Sequence, residues 1–247
     1  MAISGYSASI RISLLAWGLF ISSVSSAEAL NSLYQGLFHL HNASTIYYSA
    51  VKSGLPFSES RERNSFDEAL SQAEMAFGSG DIDASTAQVA SNTVRLLRES
   101  GDYFAQSGYT YPVGDEEMEA GFEDLRASTK LLHPAGSALA LPYETFDALS
   151  HAFHNYFAIQ ASIGGDILNP VISKFNVSTL VQDADLLLEK TLTENPDNQE
   201  LKGTRISWEF IKGPMMKWQE TEIVFLVKRY QDKILTSVIS TMPGAKP

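Results

Sequence analysis

His151 and His154 lie three positions apart in the run Ser150-His151-Ala152-Phe153-His154-Asn155. In a helix, residues at that spacing share a face. Two imidazoles so placed can ligate a metal from one helix, given a third ligand from elsewhere. The sequence alone singles out no third ligand beside them. Heptad spacing also sets them opposite the apolar seam Phe146, Leu149, Phe153 and Tyr156, facing solvent or a further layer. A pair of surface or half-packed histidines is the favoured reading, and a metal site at His151 and His154 the sharper one. His39 and His41 flank Leu40 at spacing two, so they point to different faces and cannot chelate together, although His41 can meet another helix. With five histidines and six methionines, non-covalent haem or copper ligation in a helical bundle stays open, and no ligand pair is singled out.

The segment Trp208-Glu209-Phe210-Ile211-Lys212-Gly213-Pro214-Met215-Met216-Lys217-Trp218 holds two of the three tryptophans, a Gly-Pro break and a methionine pair. Trp208, Ile211, Met215 and Trp218 share a heptad seam, so core packing is favoured. The sharper expectation is that the break opens a groove lined by Trp208, Ile211, Pro214, Met215 and Trp218. Aromatic and methionine side chains there would suit an apolar ligand or a partner helix. The acidic run Asp115–Glu119 lacks the alternating ligands and the glycine of an EF-hand loop. With Lys130 and His133 at the other end of the same segment, it has the charge order that a helix dipole favours. There is no G-x-S-x-G elbow, H-E-x-x-H helix or P-loop. A Ser-His-Asp triad could still assemble from distant residues. Neither enzymatic activity nor a cofactor is expected.

Composition narrows the classes further. The absence of cysteine excludes disulfides, thiolate nucleophiles, cysteine-ligated zinc, iron–sulfur clusters, covalent c-type haem and lipoprotein acylation. A formal charge of -11 with no basic run removes the electrostatic footprint of nucleic-acid binding. A hydrophobic share of 44% over 247 residues suffices for one sizeable domain with a real core.

The N-terminus carries an export signal. Arg11 is the only charge before Glu28, an apolar run extends from Ile12 to about Val24, and Ala27-Glu28-Ala29 forms an A-x-A cleavage site. A run of about 13 residues is short of the roughly 20 needed to span a bilayer. The expected layout is a signal peptide over 1–29 and a domain over 30–247. The mature chain would begin at Leu30 in a bacterial periplasm or medium, with no transmembrane span; an uncleaved anchor is the alternative.

The elements that would position these residues read as helices throughout, with no hairpin signal. Leu30, Leu33, Leu37, Leu40, Tyr47 and Val51 give the first, ended by Gly54 and Pro56. The second starts near Ser58 or at a Ser65–Glu68 capping box and stops at Gly78-Ser79-Gly80. Asp81 or Asp83 caps a third that runs to about Phe104. The fourth starts at Asp115, with Met118, Phe122, Leu125, Thr129 and Leu132 inward. A Pro134–Pro142 connector leads to the fifth, about Tyr143 to Ile163, closed by Gly164-Gly165. After Pro170 the sixth covers about Ser178 to Thr193. The last runs from about Gln199 to Ser240 and is kinked or broken at Gly213-Pro214. The expected fold is therefore all-α, an antiparallel bundle of about six or seven helices.

Ala69–Leu97 can be laid over Leu180–Ile211 with one gap, matching Ala73 to Ala184, Val94 to Trp208 and Leu97 to Ile211. That is either an internal duplication, with halves 30–110 and 143–241, or the general likeness of helical hairpins. In plan the chain resembles periplasmic helical-bundle sensor domains. The resemblance covers architecture alone and implies a module that binds a small molecule or an envelope protein. Such domains sit between two transmembrane helices, and no second apolar run occurs here. A metal- or haem-binding bundle is the runner-up. Export makes one sharp prediction: chain recovered from the periplasm of an expressing bacterium gives an N-terminal sequence starting at Leu30. A start at Met1 in the membrane fraction would show the anchor instead.

Overall fold

In the computed structural model, backbone is described for residues 7–54, 57, 61–79, 82–110, 115–132, 140–163, 176–220 and 223–242, and side chains from residue 29 onward, excepting 115, 132 and 163. Within these residues the protein is all-helical and contains no strand. The export-signal side chains lie outside the described residues. So do Pro56, the Ser58 start, Asp81, most of the Pro134 connector, Gly164-Gly165 and Pro170.

The eight described helices are α1 (Ser7–Ser53), α2 (Arg61–Gly78), α3 (Ala84–Ser107), α4 (Asp115–Leu132), α5 (Leu141–Ile163), α6 (Val177–Glu194), α7 (Gln199–Met216) and α8 (Val224–Ile239). Local signals explain most of the boundaries. Gly54, at φ +60°, ends α1 in a left-handed turn that a side chain would strain. Asp83 caps α3 by accepting from the Thr86 amide at 3.0 Å, and Asn198 caps α7 by accepting from the Glu200 and Leu201 amides.

Two expectations need correction. Helix α2 already begins at Arg61, so Ser65 stands inside it and is not an N-cap. The C-terminal helix takes the broken alternative, giving eight described helices, but the break falls beyond Pro214 rather than at it. Proline clashes with the turn before it and leaves the turn after it free. Helix α7 therefore runs on to Met216, and α8 starts at Val224. The freed carbonyls are met from neighbouring helices: Ser178 Oγ donates to Met216 O at 2.8 Å, and Gln160 Nε2 to Trp218 O at 3.0 Å.

The packing order closes two rings. Helices α1–α2, α2–α3, α3–α4 and α4–α1 pack as one four-helix unit; α5–α6, α6–α7, α7–α8 and α8–α5 pack as the second; α1 against α5 and α8 joins them. The hairpins α2–α3 and α6–α7 occupy equivalent places, and the matched positions Ala73/Ala184, Val94/Trp208 and Leu97/Ile211 are all buried. Helix α4 belongs to the first ring, so that unit extends beyond residue 110 to Leu132.

Inside the first ring, helices approach closely at glycines. A Cβ on Gly101 of α3 would meet the Phe66 ring of α2 at 2.6 Å, whereas one on Gly203 of α7 would meet nothing. Gly101→Ala should therefore destabilise by about 1–3 kcal/mol through overpacking. Gly203→Ala should stabilise by about 0.4–1 kcal/mol by reducing unfolded-state freedom. Urea denaturation of both variants checks the pair of opposite signs.

Candidate functional site

Helix α5 runs through the middle of the molecule. From Thr145 to Asn155 every side chain is buried except Ala148, which is half-buried. Three of these residues, Asp147, His151 and His154, follow at i, i+4 and i+7 and so line one face. That face looks toward α4 and α1. Backbone contact between α4 and α5 is sparse, and long polar side chains bridge the gap.

The first rung is His154. Its Nε2 lies 2.8 and 2.9 Å from the two carboxylate oxygens of Glu119, and its Nδ1 lies 3.3 Å from Ser44 Oγ. The Tyr48 hydroxyl donates to Glu119 Oε1 at 2.9 Å. Ser44 donates its hydrogen to the His41 carbonyl, which leaves its oxygen as an acceptor. Both ring nitrogens of His154 thus lie within hydrogen-bond distance of a side-chain oxygen.

The second rung joins His151 Nε2 to Glu123 Oε1 at 3.3 Å, with Arg126 Nη1 on the same oxygen at 3.0 Å. Burial raises the Glu123 carboxyl, but the His151 hydrogen bond and the Arg126 charge outweigh it and bring it to about 2. Burial pushes His151 down, against the pull of Glu123.

The third rung is Asp147, which accepts from the Tyr34 hydroxyl at 3.3 Å and faces Thr129 Oγ1 at 3.4 Å. Burial pushes its carboxyl up to about 7, opposed by Arg126 and Lys130 and by both hydroxyl contacts. Beside the first rung sits His41, with its ring centroid 5.0 Å from that of Phe122 and 5.6 Å from that of His154. Neither His41 ring nitrogen has a hydrogen-bond partner. Burial, followed by repulsion from the charges of His154, Arg126 and His151, holds its pKa well below the ordinary histidine value.

This ladder answers the histidine expectations. His151 and His154 do face a further layer, but they diverge onto different carboxylates. Among the described residues no group of three or more His, Asp or Glu side chains is placed to hold a metal ion. In the sequence Glu119 reads only as part of a helix-dipole run. Its distinguishing mark was its place one position after Met118, beside the inner stripe. Ser44, His154 and Glu119 have the membership of a hydrolytic triad. Ser44 is fully enclosed, however, and its hydrogen is committed to a backbone carbonyl, so it offers no path to a substrate.

The tryptophan segment takes the packing alternative. Trp208, Ile211 and Met215 are fully buried, and only Pro214 and Trp218 are half-buried. The Trp208 ring meets Phe153 edge-on at 5.8 Å, and its indole N–H donates to Asp185 at 3.0 Å.

A groove of about 340 Å³ lies instead between α1, α2 and α8. Sequence reasoning did not mark it, because its walls come from helices far apart in the chain. Helix α1 supplies His39, Asn42 and Thr45, α2 supplies Glu68 and Gln72, and α8 supplies Lys228 and Asp232. Gln231 ties its base together, accepting from Thr45 Oγ1 at 2.9 Å and donating to Asn42 Oδ1 at 3.4 Å. Compared with known proteins, the chain matches no family model, no curated protein and no solved structure.

The ladder makes a pH prediction. Because the folded Asp147 carboxyl is raised to about 7, folding retains a proton that the unfolded chain releases near pH 4. Its contribution is therefore fully present at low pH and is lost as pH rises toward 7. Asp147→Asn keeps an acceptor for Tyr34 and removes the charge. The stability gap in favour of the variant should grow from near zero at pH 4 to on the order of 2–4 kcal/mol at pH 8. Urea melts of both proteins across that range measure it, and the histidine contributions cancel in the difference. A gap that does not change with pH would sink this account of Asp147.

Proposed function

We propose that the chain is an exported periplasmic or secreted helical bundle that binds a small ligand without transforming it, as an accessory or sensor-like module. The observation carrying this reading is the groove between α1, α2 and α8. Its volume lies near the lower end of the range of small-molecule sites, roughly 300–1,000 Å³. Both four-helix units contribute to its walls, so an occupant would touch both. Export is supported by the apolar run and A-x-A site at the N-terminus. No helix among the described residues is long and apolar enough to cross a membrane. A protein partner on the outer surface is the other arm of the same reading, and no feature of the fold favours it over the groove.

A second reading, a buried metal or haem iron near His41, has one observation in its favour: both ring nitrogens of this enclosed histidine are unpartnered beside His154 and Glu119. His41 would have to turn toward that pair to complete a shell.

One screen separates the readings. The full chain is melted with a metabolite collection, and separately with divalent metals and haem. A groove ligand at a hundredfold its Kd should stabilise by about 2.7 kcal/mol, which raises Tm by roughly 5–10 °C. Gln72→Trp, which narrows the groove, should abolish the rise. Stabilisation by a metal alone, lost in His41→Leu, would favour the second reading. A panel of turnover assays succeeding where no metabolite stabilises would overturn the first.

A further inference from the structure

We propose that the groove takes a small zwitterion, a molecule carrying a protonated amine and a carboxylate within the span of an amino acid or a dipeptide. This inference rests on the small-ligand reading above and names the ligand class.

The argument starts with Lys228. Elsewhere in the described structure, cations held against the helix surfaces have partners: Arg63 pairs with Asp67 and Asp102, Arg126 with Glu123, and Lys212 with Asp185 and Glu209. Lys228 is half-buried, lines the groove, and makes no ion pair or hydrogen bond with a described residue. Burial pushes its ammonium down, against the pull of Glu62 and Asp232. Asp232, one turn further along α8, is pushed up by desolvation and is likewise without a pairing cation within ion-pair distance. Lys228 thus gives up part of its hydration without gaining a partner within ion-pair distance, which is unfavourable unless a ligand supplies one, while Asp232 stands exposed on the same wall of the groove.

The groups a ligand must bring follow from this. Lys228 calls for a carboxylate. Once it is engaged, Asp232 and Glu68 leave the groove net negative and call for an amine. His39, pushed down by burial, is neutral near pH 7 and adds no charge. Asn42 and Thr45 are held in place through Gln231, so they form a fixed base rather than adaptable contacts. Ile46 and Ala69 give a short apolar wall, suited to an aliphatic side chain.

The test is titration calorimetry of the full chain at pH 7 with L-leucine and alanyl-leucine. N-acetyl-leucine, which keeps only the carboxylate, and leucinamide, which keeps only the amine, serve as comparisons. One or both zwitterions should bind, and each single-charge analogue should bind at least about tenfold more weakly. Lys228→Met should cost the zwitterion about tenfold or more while leaving leucinamide unchanged. Asp232→Asn should do the same against N-acetyl-leucine. Circular dichroism and Tm matching the parent show that the variants are folded; Lys228→Gln replaces the first and Asp232→Ser the second where one is not. Equal binding of the blocked analogues, or no heat from either zwitterion, overturns the proposal. The parent reading fails differently. A metabolite from the screen that is lost in Gln72→Trp but indifferent to Lys228→Met defeats the zwitterion class alone, whereas one indifferent to Gln72→Trp defeats the groove itself.

Discussion

The enclosure of α5 is the constraint on which the remaining architecture depends. A helix buried on nearly every side is ordinarily apolar all round. This one carries Asp147, Ser150, His151, His154 and Asn155 into the interior. Ser150 and Asn155 are satisfied within α5, by the Asp147 and His151 carbonyls, but the loss of water at Asp147, His151 and His154 is tolerable only if partners are delivered from other helices. Antiparallel α4 does so with Glu119 and Glu123 at the spacing that matches His154 and His151, and with Thr129 beside Asp147. Helix α1 adds Tyr34, Ser44 and Tyr48 from the other side. A one-residue shift of α4 along α5 would break every rung. The ladder thus fixes the register between the two four-helix units, a task for which buried ion pairs are better suited than for raising stability.

Much of the fold was legible because heptad stripes report burial directly. Phe146, Leu149, Phe153 and Tyr156, and likewise Met118, Phe122, Leu125 and Thr129, were placed inward and are inward. The positions paired in the duplication alignment are all buried, as the general likeness of helical hairpins would also give. What could not be read was anything depending on a second helix. Periodicity gave α5 one apolar seam and put His151 and His154 opposite it. It could not say that the opposite face would itself be covered, since that depends on where α1 and α4 go. Glu119 was hidden for the same reason, as an acidic residue among acidic residues whose partner lies 35 positions away. The groove is a still longer-range feature, assembled from α1, α2 and α8.

The repeat of the four-helix ring also explains why the two central helices differ in character. Helices α1 and α5 occupy equivalent places, each opening a ring and each packed against the other. Helix α1 is also shielded by α2, α3 and α4, yet its His39, Asn42 and Ile46 reach a wall that α8 leaves open. Helix α5 has no such open side along its middle turns. Polar residues on that one face of α1 are therefore free to meet water or a ligand, whereas those on its ladder face and along the middle of α5 must be paired within the fold.

This difference decides which constellation is read as a binding site. In the ladder nearly every charged group has its counter-group, and the enclosed Ser44 shows how little room remains. Such a cluster perturbs pKa values strongly, as functional sites do, but structural ion-pair networks produce the same signature. The groove shows the reverse pattern, with open volume and a half-buried Lys228 that no carboxylate reaches within ion-pair distance. A structural network is complete without a ligand; a binding site is not. His41 is the clearest exception in the ladder, with both ring nitrogens idle, and Asp147 Oδ1 and Arg126 Nε are likewise buried without a hydrogen-bond partner. His39, two residues away on α1, faces the groove. One helix thus carries the incomplete groove on one face and the almost complete ladder on another.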